Sequence, residues 1–207
     1  MKTPLVHVLK IGPINLDPYD IVLSPVSTNK EGRVFSPFII GPVRLPAIEG
    51  ASNPSVFQNF ENAWQFSKVY SSLGHLDAFG NLTDKYRTWR RRGSIDTTAH
   101  RYPAGRNAVP QFSVFGKRRL SYITARKMLY VPYYMRHIKD VPMLDELRAE
   151  YRKGAKILLM DFDASEVQNK RDFQQNVDDP NRKLGHAYVL REAIIRDDSK
   201  WYRKIIL

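Results

Sequence analysis

Cysteine is absent from all 207 positions. That excludes disulfides, thiolate metal sites and a cysteine nucleophile together. Long apolar runs are absent too. No stretch approaches the roughly 18 residues of a membrane span, so no membrane partner is expected. Met1-Lys2-Thr3-Pro4 passes into a strand-like run and not into the apolar core of a leader, which points to a soluble, cytoplasmic protein. The common glycine-rich phosphate loops, the His-Glu-x-x-His zinc pair and the Gly-x-Ser-x-Gly elbow are all missing. His7, His75, His100, His137 and His186 stand apart, with no pair at metal-ligand spacing. Neither a metal nor a cofactor is expected. Acidic residues are scarce in one place above all. From Lys85 to Lys127 twelve basic side chains face the single acid Asp96, a net +11 out of +12 for the chain.

Hydrophobic residues make up 43% and charged residues 26%, which excludes a disordered or fibrous chain. The length suits one domain. We expect an α+β fold, a single compact domain over 1–207, with short N-terminal strands followed by a mainly helical core. The runs 5–9 and 21–23 read as strands, and 34–40, interrupted by Pro37, as an edge or bulge. Residues 44–54 read as a loop. A helix is expected over 59–73, with Asn59 as cap and Gly74 as stop. The breakers Gly93, Pro103, Gly105, Pro110 and Gly116 make 84–116 loops with short helical pieces. A basic helix is expected over 117–130, with Leu120, Ile123 and Met128 inward and Pro132 ending it. Pro142 opens a further helix closed by Gly154, residues 155–161 read as a buried strand, and Gly185–Arg196 reads as a last helix.

Within the first helix Glu61, Gln65 and Lys68 are spaced i, i+4, i+7 and share a face, with Trp64 beside them as a flat apolar wall. A carboxylate, an amide and an ammonium near a ring suit a sugar, with Glu61 for acid–base or nucleophilic work and Gln65 and Lys68 for hydroxyls or phosphate. The plainer alternative is an exposed face with one Glu–Lys pair. In the basic loop-rich segment 84–127, Arg90, Arg91, Arg92, Lys117, Arg118 and Arg119 are the candidate nucleic-acid contacts, interleaved with aromatics that can stack on bases. A solvated basic face is the alternative. Arg101 and Arg106, around Tyr102, are the candidate phosphate ligands on a loop able to close over a nucleotide. A second acid (Asp161, Asp163, Asp178 or Asp179) or His186 can serve the departing group. Asp161 and Asp163 also read as loop-capping residues.

Phe35-Ser36-Pro37-Phe38, then a loop, then Glu61-Asn62-Ala63-Trp64-Gln65-Phe66-Ser67-Lys68 resembles the opening motif of the NADAR family, which has Ser-Pro-Phe and then Glu-His-x-x-Gln-Ala-x-Lys-Phe. Asn62 stands where that family prefers His. Asn181 to Leu190 is similar to the family's closing Gly-Lys-Asn-x-Leu-Gly element, with the Asn displaced. The resemblance implies an N-glycosidase acting on ribosylated or ADP-ribosylated substrates, including ADP-ribosyl guanine in DNA. It makes Glu61 the catalytic carboxylate and Ser36 and Phe38 substrate neighbours. It makes Trp89 a candidate for the family's tryptophan and Asp179 a candidate second acid, because the family's Asp–x–x–Trp-Gly element is absent. The expected partner is nucleic acid, DNA first, or an ADP-ribosyl or ribosyl phosphate ligand. The alternatives are an inactive nucleic-acid-binding protein on the same fold and a glycosidase for a free riboside phosphate.

Overall fold

The computed structural model describes residues 5–196, 198 and 200–206. In chain order, β1 (Leu5–Lys10) and β2 (Ile21–Leu23) precede β3 (Val43–Leu45), β4 (Ser55–Phe57), α1 (Phe60–Gln65) and β5 (Lys68–Val69). Helix α2 (Asp84–Ile95) leads to the hairpin β6 (Phe112–Phe115) and β7 (Arg118–Leu120), followed by α3 (Tyr122–Ala125). Then come α4 (Val131–Ile138), α5 (Pro142–Arg152), β8 (Lys156–Asp161), α6 (Glu166–Asn169), α7 (Phe173–Asp178) and α8 (His186–Ile195). The fold is α+β. The single domain expected from length divides into two compact units, one formed by the chain up to Pro37 with everything from Val131, the other by Phe38–Tyr130.

The first unit is built on a parallel sheet in the order β1-β8-β2. Its central strand carries Ile157, Leu158 and Leu159, all fully buried, as a continuous apolar run. Helix α8 packs on β1 and β8, and α4 and α5 pack on α8. Helix α5 follows its local signals, with Pro142 in the first turn, Arg152 in the last and Gly154 beyond at φ +97°. The N-cap of α8 is Gly185, where a Cβ would meet Asp161 Oδ2 at 2.6 Å. The Asp161 carboxylate accepts the Ala187 N–H at 3.2 Å, so the end of the central strand caps α8. The extended piece expected at 34–40 is replaced by a 3-10 turn, Gly32–Phe35, seated where Gly32 lets the backbone approach Ser24. Pro132, expected to end a helix, sits in the first turn of α4, where a missing N–H is tolerated.

The second unit holds the antiparallel pair β3-β4 and the antiparallel sheet β5-β6-β7. Its core gathers Ile48, Val69, Leu82, Tyr86 and Val114, flanked by Leu76, Trp89 and Phe112. Several expectations fail here, each for a tertiary reason. The helix from 59 stops at Gln65, because Ser67 Oγ bonds the Ala63 carbonyl at 2.6 Å and Lys68 and Val69 pair with Ser113 and Phe112. The loop expected at 44–54 includes strand β3, and the loop-rich 84–116 opens with the three-turn helix α2, capped by Thr83. Lys117 starts no helix; it lies in the turn before β7, and the helix begins at Tyr122 behind the cap Ser121. A wide π-type turn at Arg126–Tyr130 then shifts the helical phase, burying Ala125, Arg126, Leu129 and Tyr130 and leaving Ile123 and Met128 half-buried.

Gly93, which reads as a breaker, is a packing glycine inside α2. A Cβ at that position would stand 2.1 Å from the Phe66 ring. Gly93→Ala gains about 1 kcal/mol of helix propensity but must push Phe66 off its seat, at roughly 1–3 kcal/mol. We expect a lower unfolding midpoint, read by circular dichroism; a raised midpoint would contradict this packing. Buried His75 accepts the Tyr70 N–H on Nδ1 at 3.2 Å and lies among the Tyr70, Tyr86 and Trp89 rings. Burial lowers its pKa from 6.5. The unfolded chain therefore takes up this proton at a higher pH than the native one, so the contribution is complete above pH 6.5 and is lost as pH falls through the native value. The wild-type midpoint should drop below pH 6.5 with a component missing in His75→Gln. Parallel pH curves for the two proteins would rule this out.

Candidate active site and basic surface

Helix α1 is only six residues long, and its N-terminus is set by Asn59, whose side chain accepts the Asn62 N–H at 2.8 Å. Glu61 and Gln65, four residues apart, share a face, and both are only 7% exposed. Gln65 Nε2 donates to Glu61 Oε1 at 2.8 Å, and Lys68 Nζ donates to Gln65 Oε1 at 2.7 Å. The ammonium also lies 4.8 Å from the Trp64 ring centroid. The three residues thus converge as expected, although Lys68 reaches the amide from β5 and not from a continued helix. The face they share is interior, which excludes a solvated surface pair. A cation on its oxygen polarises the Gln65 amide and strengthens its N–H donation, so the Glu61 carboxylate is held in one orientation.

Trp64 is not an open wall. It packs edge-on against Tyr130 at 5.0 Å between centroids and tilted against Tyr122 at 6.4 Å, and is itself buried. The accessible ring of this stack is Tyr122. Buried Arg126 lies over that ring at 4.2 Å and donates to the Tyr122 hydroxyl at 2.8 Å. Sequence reading missed Tyr122 and Arg126 as site neighbours because the π-type turn changes which side chains face α1. The i, i+4 pairing of a tyrosine with an arginine was the available signal.

Asn62, where the resembled motif has His, is fully buried. Its Nδ2 donates to the carbonyls of Asp96 at 3.1 Å and Thr98 at 2.8 Å, and its Oδ1 accepts the His100 N–H at 2.9 Å. Asn59 Nδ2 adds a bond to the Thr97 carbonyl at 3.3 Å. The start of the basic loop is thereby stapled to α1. Just beyond, Arg101 and Arg106 flank the Tyr102 ring, their guanidinium carbons 5.6 and 5.8 Å from its centroid. Two cations thus lie against one exposed ring. Trp89, with Phe66, Arg92, His100 and Pro103, lines a small pocket of about 80 Å³. His100 Nε2 lies 2.7 Å from Asp96 Oδ2, and this bond holds the Asp96 carboxyl below its usual range.

Arg91, Arg92, Lys117, Arg118 and Arg119 are exposed. Arg90 is not. It is 2% exposed, its Nε and Nη1 donate to Ser55 Oγ at 3.3 Å and Ser67 Oγ at 3.1 Å, and it lies over Phe57. The expectation that it contacts a polyanion is corrected: it is an internal tie between α2, β4 and the end of α1. Ser36 is buried in the first unit and Phe38 half-buried in the second. Asp179 and His186 belong to the first unit, each with its own partners. The Asn181 N–H and Arg171 hold the Asp179 carboxyl below its usual range, with Arg171 Nη1 at 2.7 Å, so Asp179 is an anion and not a proton donor at neutral pH. His186 Nε2 lies 2.6 Å from the Pro25 carbonyl, which only accepts, and Nδ1 lies 3.3 Å from Asp161 Oδ2. Both ring nitrogens face protein groups, so His186 serves as a clamp.

No family model, curated protein or solved structure matches the chain. Among the described residues no helix is long and apolar enough to cross a membrane, and no three His, Asp or Glu side chains gather as a metal site.

The two roles of neighbouring arginines are separable. Arg90→Leu removes the bonds to both serine hydroxyls and the packing over Phe57 and should cost roughly 1–3 kcal/mol of stability, while the salt dependence of oligonucleotide binding stays as in wild type. Arg91→Glu and Arg92→Glu should leave the unfolding midpoint in place and weaken binding. An unfolding midpoint unmoved by Arg90→Leu would contradict the internal assignment.

Proposed function

We propose that the protein is an N-glycosidase that hydrolyses the C1′–N bond of a ribosylated or ADP-ribosylated base, with Glu61 as the catalytic carboxylate. The observation that carries this reading is the bonded chain Lys68–Gln65–Glu61, buried at Gln65 and Glu61, with its 2.7 and 2.8 Å bonds beside Trp64. Breaking the C1′–N bond builds positive charge on the ribose. A carboxylate fixed in a low-dielectric site stabilises that charge and orients the attacking water. In the net reaction the water oxygen bonds to C1′, one of its protons ends on the released base nitrogen, and the other stays on the new hydroxyl. Arg101 and Arg106 supply cations for the substrate's phosphates.

The resemblance of Ser36-Pro37-Phe38 and Glu61 to Lys68 to the NADAR motif supports the same reading. The exposed basic groups Arg91, Arg92, Lys117, Arg118 and Arg119 favour a base carried in nucleic acid over a free metabolite. They also favour a second reading, a nucleic-acid-binding protein without turnover.

The test incubates wild type and Glu61→Gln with DNA carrying ADP-ribosyl guanine, DNA carrying ADP-ribosyl thymine and a ribosylamino-pyrimidine phosphate. Released base and sugar are read by mass spectrometry. Release by wild type that falls at least about a hundredfold in Glu61→Gln is expected, in line with loss of one electrostatic group. Equal release by both proteins would end the assignment of Glu61. No release from any substrate, with salt-sensitive DNA binding by both, would favour the binding protein.

A further inference from the structure

Leu76 and Leu82 pair across an antiparallel bridge and root a short turn in the core of the second unit. Between them one large apolar side chain points the other way: Phe79 is 91% exposed. A single exposed apolar residue is ordinary on a loose loop. This turn is not loose. The Asp77 carboxylate accepts the N–H groups of Phe79 at 2.9 Å and Asn81 at 2.7 Å, and the Asn81 side-chain amide at 3.1 Å. The Asp77 carbonyl accepts the Gly80 N–H at 3.0 Å, and Gly80 takes φ +80°, which suits glycine. Donation by Asn81 holds the Asp77 carboxyl below its usual range, so the turn stays closed at neutral pH.

The turn is also joined to the basic hairpin. Arg119 Nη2 donates to the Gly80 carbonyl at 2.7 Å, while its guanidinium lies over Phe112 at 5.0 Å. Its neighbours Lys117 and Arg118 are exposed. An aromatic ring is therefore presented to solvent by a closed turn, next to three consecutive cations. Flat ring beside phosphate-binding charge is the pairing that single-stranded nucleic-acid grooves use, because every base has a face to stack and every linkage a charge.

We propose that Phe79 is a base-stacking residue that holds an unpaired nucleotide of a nucleic-acid strand bound along Lys117–Arg119. This deepens the proposed function and rests on its reading of the basic surface as a nucleic-acid interface. The ring provides affinity for unpaired bases without base-edge recognition, and the hairpin cations provide the salt-dependent part.

The test measures fluorescence anisotropy of a short labelled single-stranded oligonucleotide and of its duplex across a salt series, in the Glu61→Gln background so that no turnover intervenes. Phe79→Ala should weaken single-strand binding roughly tenfold with the slope of log affinity against log salt unchanged. Arg118→Ala should lower that slope by about one. Phe79→Trp should restore the affinity. Tight binding indifferent to Phe79→Ala overturns the stacking residue and leaves the glycosidase standing. Equal binding of heparin, also indifferent to Phe79, marks the hairpin as a general cation exchanger and likewise overturns it. Absence of strand binding overturns it as well, and Glu61-dependent release from a ribosyl phosphate would then preserve the glycosidase on a free substrate.

Discussion

The candidate site depends on one buried amide. Asn62 is completely enclosed, and an unsatisfied buried donor or acceptor costs about 1–3 kcal/mol, so its three bonds to Asp96, Thr98 and His100 are strongly selected as a set. Imidazole has two ring nitrogens and cannot offer two donors and an acceptor in one plane. The asparagine is therefore more than a tolerated exchange at a position where the resembled motif carries histidine. It commits the Asn62 side chain to holding the basic loop, while Glu61 and Gln65 bond each other. Arg101 and Tyr102 follow directly after the stapled residues, so the same amide fixes where the Tyr102 loop begins.

What was legible in the sequence was what local chemistry decides. Helix α5 has its proline at the start and glycine beyond its end, β8 is an apolar run bounded by a glycine and two acids, and α8 starts at a glycine. Those signals act over a few residues, and each element appears where they put it. The second unit obeys longer-range rules. Nothing within a turn of Ser67 announces that Lys68 and Val69 will pair with Phe112 and Ser113, more than forty positions on. Gly93 reads as a helix breaker until the Phe66 ring is seen in the space of its missing Cβ. The convergence of Glu61, Gln65 and Lys68 was legible for a partly mistaken reason: helical spacing accounts for the first pair, and a strand delivers the third.

Charge shows the same division. The +11 count over Lys85–Lys127 treats all its cations alike, but folding sorts them. Arg90 spends its guanidinium on two serines and a phenylalanine face, and Arg126 lies under Tyr122. Arg91, Arg92 and Lys117 to Arg119 remain in water, where their fields add. A composition-level argument for a polyanion partner survives this sorting because most of the excess is still outside. A residue-level argument does not survive it unaided, since two adjacent arginines in one helix turn take opposite roles.

The interposed glutamine bears on the proposed chemistry. The Lys68 ammonium bonds the Gln65 amide oxygen, and the Gln65 amide N–H bonds the Glu61 carboxylate. A cation on its oxygen strengthens the donation of the amide, which keeps the Glu61 carboxylate oriented. In the proposed reaction positive charge appears only in the transition state, and a carboxylate already oriented by a fixed amide meets that charge without reorganising.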